Sequence, residues 1–383
     1  MKANNILNNR EGVLILGEYI NALGIARALG KHKIPVLVYD EHPYPICRYS
    51  RYCRRLKTNS LREKDILNFF MDKLKEGYTI IPTDEKWVCF LSKNKEILKS
   101  KFDVLVPEWN IVEYCYNKKL SYEVAKNTGI PIPILYGIND DIQFPVFVRP
   151  CISYKNNSKM PRGYKVNNRE ELLKRYNEMS SIVGEENVLI QEIIGGGAKN
   201  NYSFASYFKE GRFYGKFCSR KIKQYPGDFG TGCIVEPIND EDIKKQLGDY
   251  AFKFLKEIGF YGISEMEFMY DERDGQFKFI EINPRIWMQH RLASELGVDF
   301  LEIFFKGKIS GEQHNSDVIW IDEVGLVRVM VEEIIKGGFN LRDYVDILKR
   351  RKIYGTLSMS DPVPAFAQVK NVMKYIICRG KKR

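Results

Sequence analysis

The sequence predicts an α/β N-terminal part built on a parallel sheet, followed by an α+β part of antiparallel sheets. Three observations predict it. Residues 12 to 112 alternate apolar strand-like runs with helical spacing. From about residue 130 onward strand-like segments come in pairs joined by short turns, at KEGR and DERDG. Between the two lies a helix expected over about 117 to 128, ended by Gly129 and by IPIP, which forces an extended chain into FPVFVRP.

The first part opens with GVLILG, NALGIARALG and IPVLVYD, a strand, a helix with Leu23, Ala26 and Leu29 on one face, and a second strand. This βαβ start is Rossmann-like, but Gly17 and Gly24 fall in the spacing GxxxNxxG and not in the dinucleotide fingerprint. Scaffold, not NAD binding, is therefore expected of it. YTIIPT, a helix near KWVCFLSKNKEILKS and VLVP continue the parallel pattern.

With 383 residues, 44% apolar and 28% charged, the chain is long enough for two or three packed units. No run of about 18 apolar residues occurs, and MKANNILNNREG lacks a signal-peptide core, so a cytoplasmic location is expected. The eight cysteines form no CxxC pair, which points to reduced packing residues. The four histidines form no cluster, and no Ser-His-Asp or Cys-His arrangement is visible. The net charge of +11 is concentrated in the tail, where residues 349 to 383 hold ten basic residues against Asp361 alone. A neutral remainder argues against a nucleic-acid partner.

The strongest chemical signal is EMEFMYDERDGQFKFIEINPR. A turn centred on Asp274 sets Glu267 opposite Glu281, Glu265 opposite Asn283 and Met269 opposite Phe279, leaving Met266, Phe268, Ile280 and Ile282 for the core face. Facing carboxylates repel, and a hard divalent cation with oxygen ligands would offset that. On this view, removing one carboxylate would raise stability in the absence of metal. Asn283 adds an amide ligand, and Arg285 suits phosphate oxygens.

In the order of these motifs the chain resembles the ATP-grasp superfamily over about 113 to 305. The resemblance implies ATP with magnesium, or manganese, as cofactors, and activation of a carboxylate as an acyl phosphate that an amine then displaces. It implies Lys118, in NKKLSYEVAKNTGIP, and Arg149, in FPVFVRP, as phosphate contacts. Arginine at the second place resembles the synthetase domains of carbamoyl phosphate synthase, which keeps a carbamate-forming reaction as the alternative. VLIQEIIGG matches the hinge strand, so Gln191, Glu192 and Ile194 would lie along adenine. Glu267, Glu281 and Asn283 match the metal ligands, and Arg285 a phosphate or substrate contact.

Two features depart from the pattern. CISYKNNSKMPRGYKV has a single glycine where a small-residue loop normally covers the phosphates, leaving a lysine-rich lid, and GGGAKNNYS lacks an acid for ribose. SRKIKQYPGDFGTGCIVE resembles a stretch in D-aspartate ligase-like amino-acid ligases, implying that Arg220 and Lys221 face the site. The resulting division is an N-terminal domain over 1–112, a lid subdomain over 113–190, a central subdomain with the metal site over 191–305, and a C-terminal extension over 306–383. Small carboxylates and amines are the expected substrates, and a homodimer is the ordinary assembly. In the tail, Phe366, Val369, Met373, Ile376 and Ile377 fall on one helical stripe before RGKKR. Docking on its own domain is the ordinary outcome; the alternative is an anionic membrane surface, beside a lipid-linked acceptor such as a cell-surface glycan precursor.

Overall fold

Val13, Leu14, Ile15 and Leu16 are all fully buried, because strand Gly12–Leu16 lies in the middle of a five-stranded parallel sheet covered on both faces. The structure is a computed structural model that describes residues 11–40, 43–57, 62–155, 158–227 and 229–380, with side chains to 374. Across this first sheet the order is Arg54–Arg55, Val36–Tyr39, Gly12–Leu16, Tyr78–Pro82 and Asp103–Val104. Val13 and Ile15 pack under helix Ile20–Lys31, while Leu14 and Leu16 meet Phe70, Trp87 and Phe90 on the other side. The helix expected near KWVCFLSKNKEILKS divides at Asn94 into Glu85–Lys93 and Lys95–Leu98.

The two glycines of the βαβ start have steric reasons to be glycine. Gly17 has φ +117°, and a Cβ there would stand 1.9 Å from Thr83 Oγ1; a Cβ on Gly24 would stand 2.4 Å from His290 Nε2. They let the first strand close on the fourth, and helix Ile20–Lys31 close on helix His290–Glu295.

Two further main sheets follow, antiparallel except for the parallel pair Ile319–Ile321 and Lys352–Tyr354 at the edge of the second. A four-stranded one runs Tyr164–Val166, Val146–Pro150, Val188–Glu192, Leu135–Tyr136, with Leu172, Met179 and Val183 of helix Arg169–Val183 packed on it. A seven-stranded one runs Gln276–Asn283, Gly262–Asp271, Asn201–Lys209, Arg212–Tyr225, Thr231–Pro237, Ile319–Ile321, Lys352–Tyr354. Phe204, Phe268 and Phe279 on one of its faces meet Leu247, Ala251, Phe254 and Leu255 of helix Glu241–Glu257. The last two strands come from the segment expected to be a separate C-terminal extension, which instead lengthens the large sheet. Helix Trp109–Tyr116 runs across the boundary drawn at 112. Every described cysteine is a free thiol, and most are buried.

Candidate active site

The acidic hairpin pairs Glu267 with Glu281 and Glu265 with Asn283, in the register the turn position predicts. Toward the turn the register then shifts by one residue, so that Phe268 faces Phe279 and Met269 faces Lys278. A bulge at Ile280 takes up the extra residue. Phe279 thereby turns into the core and donates its N–H to the Pro131 carbonyl at 2.8 Å, while Met269 and Ile280 line the cleft. The expected places of Phe279 and Ile280 are exchanged. Both are apolar, so the hydrophobic pattern carries no mark of the shift.

The cleft, of about 700 Å3, lies between the two antiparallel sheets and is within the range of small-ligand sites. Lys118 is the first residue of helix Lys118–Asn127, whose N-cap is Asn117, and Arg149 stands on strand Val146–Pro150. Lys118 Nζ lies 3.4 Å and Arg149 Nη2 3.3 Å from the same Glu281 Oε2. Lys221 Nζ reaches Glu267 Oε2 at 2.9 Å, and Asn283 Nδ2 reaches Glu267 Oε1 at 3.5 Å. Arg285 Nη2 donates to Asn283 Oδ1 at 3.3 Å, while its Nε and that of Arg149 are buried without a partner. Two guanidinium donors thus point at nothing the described residues supply.

Electrostatics sorts the three carboxyls. Burial would raise Glu281, but Lys118, Arg149 and Lys221 outweigh it and hold the carboxyl down at about 2. Burial also opposes the charge on Lys221, and the surrounding Glu267, Glu265 and Glu281 outweigh that in turn, so its pKa is raised. Glu265 is the opposite case. Burial and then the Glu267 charge push it up to about 8, so it is protonated at neutral pH.

A prediction follows from Glu265. Its unfolded value is near 4.5, so the folded chain holds a proton that the unfolded chain has lost, and stability falls as pH rises from about 4.5 to about 8. Glu265→Gln removes that dependence and is the more stable form on the alkaline side. Urea unfolding of both proteins at about pH 5 and about pH 9 checks it, and parallel pH dependences would refute it.

Glu192 is more confined than expected. Burial would raise its pKa, but the Ile134 N–H, Arg273 and Lys278 together lower it, with contacts at 2.9, 2.6 and 3.0 Å. The carboxylate is committed to these groups, which leaves its backbone for any base contact. Gln191 accepts from Tyr122 Oη at 3.2 Å, and Gln191 borders the cleft with Ile194. Arg220 requires a correction. Neighbours on a strand point to opposite faces, so with Lys221 facing Glu267, Arg220 turns away, where its Nε binds Glu236 at 2.6 Å. It is not among the residues that line the cleft.

Several lining residues escaped the sequence reading. Asp84 caps helix Glu85–Lys93 at the cleft, and burial pushes its carboxyl up to about 6. Gln289 and Met288 enter behind Arg285. The glycine-poor loop brings Lys159, Arg162 and Lys165 to the cleft, and Phe147 packs on Phe229 with ring centroids 4.3 Å apart, joining the small sheet to the Gly227–Gly232 loop. The sequence marks the first of these loops as a lysine-rich lid, and nothing in it marks Asp84, Met288 or Gln289.

A profile of the family "Carbamoyl-phosphate synthase L chain, ATP binding domain" matches residues 236–310, which include the acidic hairpin and Arg285. A solved structure of an L-amino acid ligase from Bacillus licheniformis superposes with a TM-score of 0.57 at 14% identity, over 79% of this chain and 75% of that one. The fold is ATP-grasp. The D-aspartate ligase of Enterococcus faecium is 23% identical over 73% of each chain. The small subunit of the 2-oxoglutarate carboxylase of Hydrogenobacter thermophilus is 28% identical over 51% of this chain. The match spans 44% of that subunit's length.

Among the described residues no three His, Cys, Asp or Glu side chains converge as a metal cluster. The oxygen donors grouped here are two facing carboxylates and an amide, to be completed by oxygens of a ligand. That all-oxygen set suits magnesium, which keeps water and phosphate oxygens in its shell.

Proposed function

We propose that the chain is an ATP-dependent carboxylate-amine ligase, which forms an amide-like C–N bond with release of ADP and phosphate. The observation that carries this reading is the convergence of Lys118, Arg149 and Lys221 on the facing pair Glu267 and Glu281. A cleft of alternating charge without a nucleophile–base pair suits phosphoryl transfer, where positioning and charge neutralisation supply most of the acceleration. Lys118 and Arg149 hold the terminal phosphates, and Gln191 with the backbone of Glu192 and Ile194 borders the base. Glu267, Glu281 and Asn283 hold magnesium or manganese, which supplies Lewis-acid polarisation of the transferred group. Lys221 balances Glu267, and Arg285 receives the carboxylate or the developing oxyanion.

A substrate carboxylate oxygen attacks the γ-phosphorus and ADP leaves. The amine nitrogen then attacks the acyl carbon, the carbon–oxygen bond to phosphate breaks, and the amine proton passes to solvent. The names D-aspartate ligase and L-amino acid ligase support an amide product. Arg149 and the relationship to a carboxylase support a second reading, in which bicarbonate is the activated carboxylate. Phosphate release from ATP and magnesium, screened over pooled amino acids, amino sugars, small carboxylic acids and bicarbonate, tests both. The ligase reading requires release that depends on a carboxylate and an amine together; release on bicarbonate alone selects the second, and none in any pool defeats both.

We further propose that the tail meets an anionic lipid surface, which would set the enzyme beside a membrane-linked acceptor such as a glycan precursor. No helix among the described residues is long and apolar enough to cross a membrane. Helix Val363–Gly380 is anchored on one side by Gln368, which is buried and accepts from Thr356 Oγ1 at 2.5 Å. Its stripe does not dock: Phe366, Val369 and Met373 are 73%, 55% and 61% exposed, next to Lys370 and Lys374. The side chains of Ile376 and Ile377 lie outside those described. Replacing Phe366, Val369 and Met373 by serine keeps the Gln368 anchor, so it tests the stripe more cleanly than truncation. Full-length protein is expected to sediment with anionic vesicles at low salt and the triple variant to stay in solution; equal behaviour of the two refutes the contact.

A further inference from the structure

A second cavity, of about 230 Å3, lies behind the cleft, where helix Ile20–Lys31 meets helix His290–Glu295 and the segment carrying Ser358 and Ser360. Its wall holds buried groups with unmet hydrogen-bonding capacity. Arg27 is 4% exposed and directs Nε to Asp361 at 2.9 Å and Nη2 to the Thr356 carbonyl at 2.8 Å, while Nη1 has no partner among the described residues. His290, 5% exposed, likewise has an unpartnered Nε2. Arg291 donates to the Tyr354 carbonyl at 2.9 Å and stands close enough to Arg27 that burial, and then that neighbouring charge, lower its pKa. The acids on the wall are engaged elsewhere. Asp299 caps helix Phe300–Lys306, Glu302 pairs with Lys306, and Glu295 pairs with Arg351.

Two guanidiniums sharing one half-enclosed space, with a donor to spare, call for an oxyanion. His290 narrows the choice. Burial lowers its pKa to about 4, so the ring is neutral, and its hydrogen bond to the Asn21 backbone leaves Nε2 as an acceptor. The occupant must therefore offer acceptor oxygens to Arg27 and Arg291 and one O–H to His290. Hydrogen phosphate does both, as does the singly protonated form of a phosphomonoester, which its second pKa of about 6 leaves in the minority at neutral pH; sulfate has no proton to donate. The volume, room for about seven waters at about 30 Å3 each, also admits a short ester chain.

We propose that this cavity is a second anion site, separate from the nucleotide cleft, that takes orthophosphate or the terminal phosphate of a small phosphomonoester. The site is joined to the cleft through a short stretch of chain. Met288 and Gln289 line the cleft, and His290 and Arg291 line the cavity, so an occupant fixes the segment that follows Arg285. The proposal does not depend on the ligase reading, since it concerns other side chains and is read by binding.

Calorimetric titration of the full chain with orthophosphate, glycerol phosphate and sulfate tests it, repeated in Arg149→Ala to weaken binding in the cleft. One phosphate-binding event is expected to persist in Arg149→Ala, to weaken about tenfold or more in Arg291→Met, and to recover in part in Arg291→Lys. Sulfate should bind about tenfold more weakly than phosphate. Tighter binding of glycerol phosphate identifies an ester as the occupant, and tighter orthophosphate the free ion. Crystals of the unaltered chain soaked in phosphate give a readout that needs no variant, with density expected between Arg27 and Arg291. Heat that vanishes in Arg149→Ala and is unchanged in Arg291→Met, or a soaked cavity holding only water, overturns the proposal.

Discussion

Glutamine in place of Glu267 or Glu281 lowers kcat by about a hundred- to a thousandfold, the usual cost of losing a charge that organises a phosphoryl-transfer site. The two stand directly opposite each other and share Lys118, Arg149 and Lys221 between them. Stability responds in the sense opposite to that expected from carboxylate repulsion alone. Glu281 is held near 2 against an unfolded value of 4.5, so its ionised form stabilises the fold above about pH 4.5, and this contribution is lost as pH falls toward about 2. Glu281→Gln leaves Lys118 and Arg149 without their shared partner and lowers metal-free stability by about 1 to 3 kcal/mol at neutral pH. Thermal unfolding without magnesium, alongside phosphate-release kinetics once a substrate is known, checks both halves. Full turnover in either variant removes these residues from the metal site. A more stable Glu281→Gln restores the repulsion picture, which the structure reserves for Glu265.

Lys118→Ala and Arg149→Ala each weaken ATP binding by about 1.5 to 3 kcal/mol, or about ten- to a hundredfold. Lys118 is buried at a helix start and Arg149 keeps an unpartnered Nε, so both are placed to receive phosphate oxygens that the described residues do not supply. Arg149→Lys retains the charge but loses the fork, and is expected to be milder. Titration with a non-hydrolysable ATP analogue decides, and unchanged affinity in both alanine variants would place the phosphate grip elsewhere.

Much of this site was legible because its signals are local. The facing of Glu267 and Glu281 follows from a turn position and a two-residue period, whereas Lys118 came from the resemblance of NKKLSYEVAKNTGIP to the ATP-grasp pattern. What was hidden depends on tertiary packing. The bulge at Ile280 exchanges one apolar residue for another and leaves the pattern intact. Arg220 and Lys221 are equivalent as sequence, and only the register against Val235 and Glu236 tells which faces the cleft. Asp84 caps helix Glu85–Lys93 just after a strand of the first sheet, and only the packed chain brings that helix start to the cleft. The binding of Glu281 by Lys118 and Arg149 joins elements more than a hundred residues apart, and no spacing rule announces it.

Isotope transfer tests the central claim most directly. The carboxylate identified by the phosphate-release screen is labelled with heavy oxygen in its carboxyl group and turned over with the amine, ATP and magnesium, and the released phosphate is weighed by mass spectrometry. An acyl phosphate intermediate predicts one heavy oxygen in each phosphate, because the oxygen that attacked phosphorus leaves with it when the amine displaces it. Unlabelled phosphate at full turnover, with the lost heavy oxygen recovered in water instead, would contradict the account.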